Sequence, residues 1–288
     1  MLWNFSVFKV LSIPVFLWLS LSGLSAGERL RIVAANLSSG KYQAYESPGI
    51  RLFQGLDPDI VLIQEFNYRS GSLDDLIAES LGREFDFYVE PGDEQIPNGI
   101  ASRYPILAAG EWLDSEVSNR DFVWARIDIP GEIDLWAVSV HFLTRNASKR
   151  NAQARSLLQY IRAEVPKGAY LVVGGDLNTA HFKEPALKVL SAVVATEGHP
   201  SDQDGKTGTN ASRSKPYDQV WPDPDLKPLE IPVRIDGHPH SYVEGLVFDS
   251  RVFTPLSAVR PIRFGDSAGR GMQHMAVVRD FSIPVSTD

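Results

Sequence analysis

The stretch Leu171 to His181, L-V-V-G-G-D-L-N-T-A-H, constrains this chain more than any other. Leu171, Val172 and Val173 form a short apolar run behind Ala169-Tyr170 and predict a buried strand, while Gly174-Gly175 predicts that it stops in a tight turn. Asp176 and Asn178 follow two residues apart. In extended backbone, residues i and i+2 face the same side, so a carboxylate and a carboxamide would project together above the sheet. Such a pair can hold a water and a phosphate oxygen. The same residue types are also ordinary turn formers that cap backbone N–H groups, and this segment alone leaves both readings open.

The other 277 of the 288 residues include several segments that end in similar chemistry. Arg29 to Asn36 alternates and then runs apolar, as a central strand does, and ends at Asn36. Ile60 to Ile63 is a second apolar run, followed by Gln64-Glu65. A charge ending such a run is costly to bury unless it binds a cation or a partner, which makes Glu65 a metal-ligand candidate. Trp124 to Ile129 and Ile133 to Val140 predict an antiparallel pair around Pro130-Gly131, the second strand ending in His141. Tyr217 to Trp221 predicts a short strand with Asp218 near its start, and Gln273-His274 leads into a last strand, Met275 to Phe281.

Between these lie predicted helices at Gly49 to Leu56, Ser72 to Leu81, Asn151 to Val165 and Ala186 to Val194, and strands at Phe85 to Val89, across Asn98 to Ile106 and at Tyr242 to Phe248. Arg145, Lys149 and Arg150 are expected on a solvated face. The polar segment Ser201 to Pro216 reads as a long loop of the kind that often carries function. Irregular strand spacing with interspersed helices predicts a layered α/β fold in one domain, residues 28–288, without an internal repeat.

Residues 1–27 have a different character. Lys9 is the only charged side chain there, Val10 to Leu24 is almost wholly apolar, and Ser25-Ala26-Gly27 follows. This is the pattern of a cleaved secretory signal peptide, and the apolar stretch is shorter than the ~20 residues a membrane span needs. A secreted or periplasmic location is therefore expected, with no stable membrane insertion after cleavage. Loss of Lys9 takes Lys+Arg from 28 to 27 against 36 acidic side chains. An acidic surface disfavours long-range attraction to nucleic acid, although bound divalent cations can supply local positive charge for a phosphate substrate. The chain has no Cys, which excludes disulfides, thiolate metal sites and a thiol nucleophile. Asn146 and Asn210 each open an N-A-S sequon, relevant only in a glycosylating host.

Taken in order, Ala35-Asn36, Gln64-Glu65, Asn98-Gly99 with Ser102-Arg103-Tyr104-Pro105, Val140-His141, Gly175-Asp176-Leu177-Asn178, Tyr217-Asp218 and Gln273-His274 resemble the endonuclease/exonuclease/phosphatase superfamily, which includes pancreatic-type deoxyribonucleases. The resemblance covers about residues 29 to 283. It implies a four-layer α/β/β/α sandwich, two packed mixed sheets flanked by helices, and metal-dependent hydrolysis of a phosphoester. Carried over, Glu65 would hold Mg2+ with help from Asn36, with Mn2+ or Ca2+ as alternative ions. Asp176 would orient or deprotonate the attacking water, Asn178 would bind a phosphate oxygen, Asp218 would fix His274, and His141 and His274 would bind or protonate the phosphoryl group. The family usually has Ser-Asp-His before its last strand; here the triplet is Met272-Gln273-His274. Gln273 keeps an oxygen for the metal but loses a negative charge.

The signal-like segment and the resemblance together imply an exported, monomeric phosphodiesterase acting on nucleic acid. Cleavage of lipid or sugar phosphoesters is the enzymatic alternative, and Gln273 keeps a catalytically silent binding module as a third.

Overall fold

The computed structural model describes residues 27–40, 42–92 and 94–285. The expected signal segment lies outside them except for Gly27, and among the described residues no helix is long and apolar enough to cross a membrane. The chain begins β1 (Glu28–Ala35), α1 (Ser47–Leu56), β2 (Ile60–Ile63), α2 (Leu73–Ser80), β3 (Asp86–Val89), β4 (Gly99–Ser102), β5 (Ile106–Trp112), β6 (Phe122–Ile127) and β7 (Leu135–His141). It continues α3 (Ala147–Glu164), β8 (Tyr170–Asp176), α4 (Pro185–Leu190), β9 (Asp218–Pro222), β10 (Glu230–Ile231), β11 (Val233–Arg234), β12 (Ser241–Tyr242), β13 (Leu246–Phe248) and β14 (Ala276–Ile283).

One sheet has the order β10-β14-β1-β2-β4-β3, with β13 also on β14; the other has the order β5-β6-β7-β8-β9. Strand alternation sorts the side chains into layers. Leu30, Ile32 and Ala34 of β1, Leu135 and Ala137 of β7 and Val172 of β8 meet between the sheets. Val33 and Ala35 face α1 and α2, where Ile50, Phe53, Leu76 and Ile77 pack. Val138, Leu171 and Val173 face α3 and α4, against Leu157, Ile161 and Leu187. These three apolar layers make the expected four-layer sandwich.

Two strand pairs are parallel, β1 with β2 and β7 with β8, and each is joined through a helix, α1 and α3 respectively. α1 opens on Pro48, whose missing N–H costs nothing in a first turn, and stops at Asp57, which is left-handed (φ 46) and ahead of Pro58. In α2 a capping box links Ser72 and Asp75. Asn146 caps α3 by accepting the Lys149 N–H at 3.0 Å, so that helix starts earlier than the apolar pattern alone predicts.

Four expectations need correction. β8 does not stop at Gly174-Gly175 but runs through them to Asp176. A Cβ on Gly174 would lie 2.6 Å from the Gln219 carbonyl oxygen, and one on Gly175 2.2 Å from that of Val140, so these glycines permit close strand contact rather than a turn. Tyr242 to Phe248 is two strands in different sheets, broken at Gly245 (φ 95). The helix expected at Ala186 to Val194 ends at Leu190. Arg150 is buried, not solvated: its Nε and Nη2 donate to Glu184 at 2.9 and 2.8 Å, because α4 packs against α3 at that position. Lys149 is on the exposed face expected for it, 3.6 Å from Glu116.

Candidate active site

Parallel βαβ units bring the carboxyl ends of their strands to one edge, which is where α/β sheets bind ligands. Asn36 and Glu65 follow β1 and β2, and His141 and Asp176 end β7 and β8 in register with each other. Asp218 starts the antiparallel β9 opposite Asp176, and His274 precedes β14. His141, Asp176 and Asp218 share the parity of Ala137, Val172 and Val220, so they continue the inter-sheet layer where it becomes polar. Glu65 follows Gln64, which fills that layer by donating to Ser139 Oγ at 2.9 Å. A left-handed backbone at Glu65 (φ 53) turns its carboxylate back toward Asn36.

His274 lies between two carboxylates, with Nδ1 3.0 Å from Asp218 Oδ2 and Nε2 3.5 Å from Asp176 Oδ2. His141 Nε2 is 3.2 Å from the same Asp176 oxygen. Burial disfavours a charged His274, but Asp218 and Asp176 outweigh it and push the imidazole up to about 10. Burial would raise the Asp176 carboxyl, yet His274, His141 and the Asn178 N–H hold it down to about 2. Burial pushes Asp218 up to about 6, with His274 pulling it back. At neutral pH the cluster is one imidazolium shared by two carboxylates.

Asn178 serves both readings of its segment. Its N–H donates to Asp176 Oδ1 at 2.9 Å, as a turn former does, in left-handed backbone (φ 52) rather than the extended one expected. Both hydrogens of its amide are committed, to Asp176 Oδ2 at 2.9 Å and the Phe142 carbonyl at 3.0 Å. In this arrangement Asn178 orients Asp176.

Two groups of residues could hold a divalent cation. Asp176, Asp218 and His274 offer ligand atoms within 4.8 Å of one another, but both nitrogens of His274 already face carboxylates, and a protonated imidazole has no lone pair for a metal. Glu65 and Asn36 fit better. Asn36 Nδ2 bridges Glu65 Oε1 and Asp176 Oδ2, both at 3.3 Å, while its Oδ1 is buried without a protein partner. A carboxylate beside an unpartnered carbonyl oxygen, with no sulfur, is the donor set of a hard cation such as Mg2+. Gln273 does not join them through a hydrogen bond among the described residues; it is exposed on the cleft wall, its carbonyl accepting the Ala211 N–H at 2.7 Å.

Glu65, His141, Asp176, Asn178, Gln273 and His274 line a cleft of about 940 Å³, with Asn36 and Asp218 hydrogen-bonded behind them. Its walls also include residues that sequence reasoning missed. Gln43 donates to Glu65 Oε1 at 3.1 Å, and Ser38, buried and not itself on the wall, donates to Glu65 Oε2. Arg120, buried and on the wall, donates from Nε and Nη2 to the carbonyls of His141 (2.6 Å) and Phe142 (3.1 Å). No periodicity or strand end marks them; only the Asn36-x-Ser38 spacing offered a signal. Thr209, from the long polar loop, accepts the Asp218 N–H at 2.8 Å and holds the start of β9.

The fold has solved counterparts. D. rerio TDP2 complexed with single-strand DNA product superposes with a TM-score of 0.57 at 16% identity, over 88% of this chain and 98% of that one. An endonuclease/exonuclease/phosphatase from Bacteroides vulgatus gives 0.58 at 16% identity, over 89% and 99%. Staphylococcus aureus beta toxin gives 0.54 at 16% identity, over 88% and 99%. At such identities the likeness is one of fold. No curated protein matches by sequence. The model of the Endonuclease/Exonuclease/phosphatase family matches residues 29–258, and with the sandwich and the strand-end residues in place, the chain belongs to that family.

Proposed function

We propose that this chain is an exported, Mg2+-dependent phosphodiesterase that hydrolyses nucleic acid. The observation that carries this reading is the convergence of Asn36 and Glu65 with the Asp176–His274–Asp218 cluster at one end of the two sheets. Export rests on the apolar segment Val10 to Leu24. The choice of a polyanion rests on contrast: the chain carries −8 overall, yet this cleft is lined by four cations, Arg120, Arg145, Arg150 and Lys215, against three acids, Glu65, Asp176 and Glu184.

A phosphodiester resists hydroxide because its oxygens repel it, so the site must neutralise them and align a water. A divalent cation held by Glu65 and Asn36 would withdraw charge from a phosphoryl oxygen. Asp176, held near 2, accepts a hydrogen bond from water far better than it accepts a proton, so it aligns the nucleophile. Asn178 and Asn36 fix that carboxylate. His274, kept protonated by Asp218, holds its Nε2 3.5 Å from Asp176, too far for a good hydrogen bond and so able to turn its hydrogen to the phosphoryl group. His141 stands beside it on the same carboxylate oxygen. Water oxygen bonds to phosphorus as the bond to the leaving oxygen breaks; one proton of that water ends on the leaving oxygen, and the other stays on the phosphomonoester product or passes to solvent.

Supercoiled plasmid incubated with the purified protein tests the reading. Nicking is expected with Mg2+, none with EDTA, and none with Asp176→Ala, which controls for a contaminating nuclease. If plasmid, single-stranded DNA and RNA all stay intact under every divalent ion tried, the nuclease reading fails, and lipid and sugar phosphoesters become the substrates to assay.

A further inference from the structure

Tyr42, the chain neighbour of the cleft residue Gln43, is an exposed aromatic side chain, with 72% of its surface open to solvent. Its neighbour Gln43 turns inward to Glu65, and both are left-handed, with φ of 62 and 54. Two such conformations in succession send the Gln43 side chain into the cleft and leave that of Tyr42 in solvent. The ring is also oriented. The Arg69 guanidinium carbon lies 4.4 Å from its centroid, and the two loops are joined by Tyr45 N–H to the Asn67 carbonyl at 2.8 Å and Asn67 Nδ2 to the Gln43 carbonyl at 3.4 Å. A cation covers one face of the ring and leaves the other available.

We propose that Tyr42, backed by Arg69, is a stacking platform for one unpaired nucleobase of the substrate, next to the phosphate held at Glu65 and Asp176. This rests on the nuclease reading and extends it to specificity. An aromatic face accepts any base, and it accepts a base only out of a duplex stack. The platform therefore makes single-stranded or frayed nucleic acid the preferred substrate and gives little base selectivity. Arg69, exposed beside the ring, lies where an adjacent phosphate of the same strand would pass.

The test compares single-stranded octathymidylate with versions carrying one abasic tetrahydrofuran nucleotide, moved along the strand. For the wild type, one abasic position lowers kcat/KM about tenfold, the scale of a single base–aromatic stack. Tyr42→Ala brings that abasic strand and the intact strand to the same kcat/KM, and Tyr42→Trp retains the difference. A Tyr42→Ala protein that still discriminates overturns the platform. Anisotropy of labelled octathymidylate bound to the Asp176→Ala protein separates the two readings. Tyr42-dependent binding without cleavage by the wild type leaves the platform standing and removes the nuclease assignment, whereas binding that ignores Tyr42, or none at all, overturns the platform.

Discussion

Glu90 sits outside the candidate site but under the same physical rule, that a buried polar group needs partners. Its carboxylate accepts the N–H groups of Asn98, at 2.8 Å, and Asp121, and so ties together the loops ahead of β4 and β6, the second of which carries Arg120. Burial nevertheless pushes its carboxyl up to about 8, with Asp121 and Glu94 adding to the rise. The folded chain keeps a proton there that the unfolded chain releases near 4.5. That contribution to stability is full below 4.5 and is lost as pH rises through 8. Thermal melts in EDTA should therefore show Tm falling across this window, and Glu90→Gln should flatten the fall. An unchanged slope in the variant would rule Glu90 out as its source. His274, raised to about 10 from 6.5, has the same sign over a higher window, so it governs the fall above 8.

At the scale of elements, β8 carries most of what positions the site. It lies between parallel β7 and antiparallel β9, which puts His141, Asp176 and Asp218 in one row. That row depends on Gly175, whose backbone (φ 128) is one that L side chains rarely adopt. Gly175→Ala should lower stability by at least about 2 kcal/mol and cost more activity than stability, because relief of the contact with Val140 moves Asp176. Denaturant unfolding and nicking rates measured together would check this; a variant with full stability and full activity would contradict it. The glycine pair was legible as a break in the apolar run, but its meaning was not. A turn and a close strand approach call for the same residue, and only the neighbouring strand distinguishes them. Arg150 is a similar case: its position on α3 is plain from the sequence, but its burial depends on Glu184, 34 residues away.

For the whole molecule, the two sheets contribute different halves of the site. Glu65 and Asn36 come from one and the His141–Asp176–Asp218 row from the other, and Asn36 bridges them. A cation held there binds the folded chain in preference to the unfolded one and stabilises it by mass action, about 2.7 kcal/mol at a hundredfold excess over Kd. Mg2+ or Mn2+ should raise Tm in the wild type and leave Glu65→Gln unmoved. A shift that survives Glu65→Gln would place the cation elsewhere.

The sequence by itself pointed to a layered α/β fold and marked the candidate site residues. Short apolar runs rich in Val and Ile favour buried strands, and a polar residue at the end of such a run emerges at a sheet edge, so Asn36, Glu65, His141, Asp176 and Asp218 were visible as strand-end chemistry. What tertiary structure alone decided is how those groups are engaged. The imidazolium of His274 between two carboxylates, the amide of Asn178 committed to Asp176, the Gln43 contact to Glu65 and the exposed position of Gln273 all arise from distances between segments far apart in the chain. Local patterning encodes which face a residue takes; it carries no record of which partner waits there.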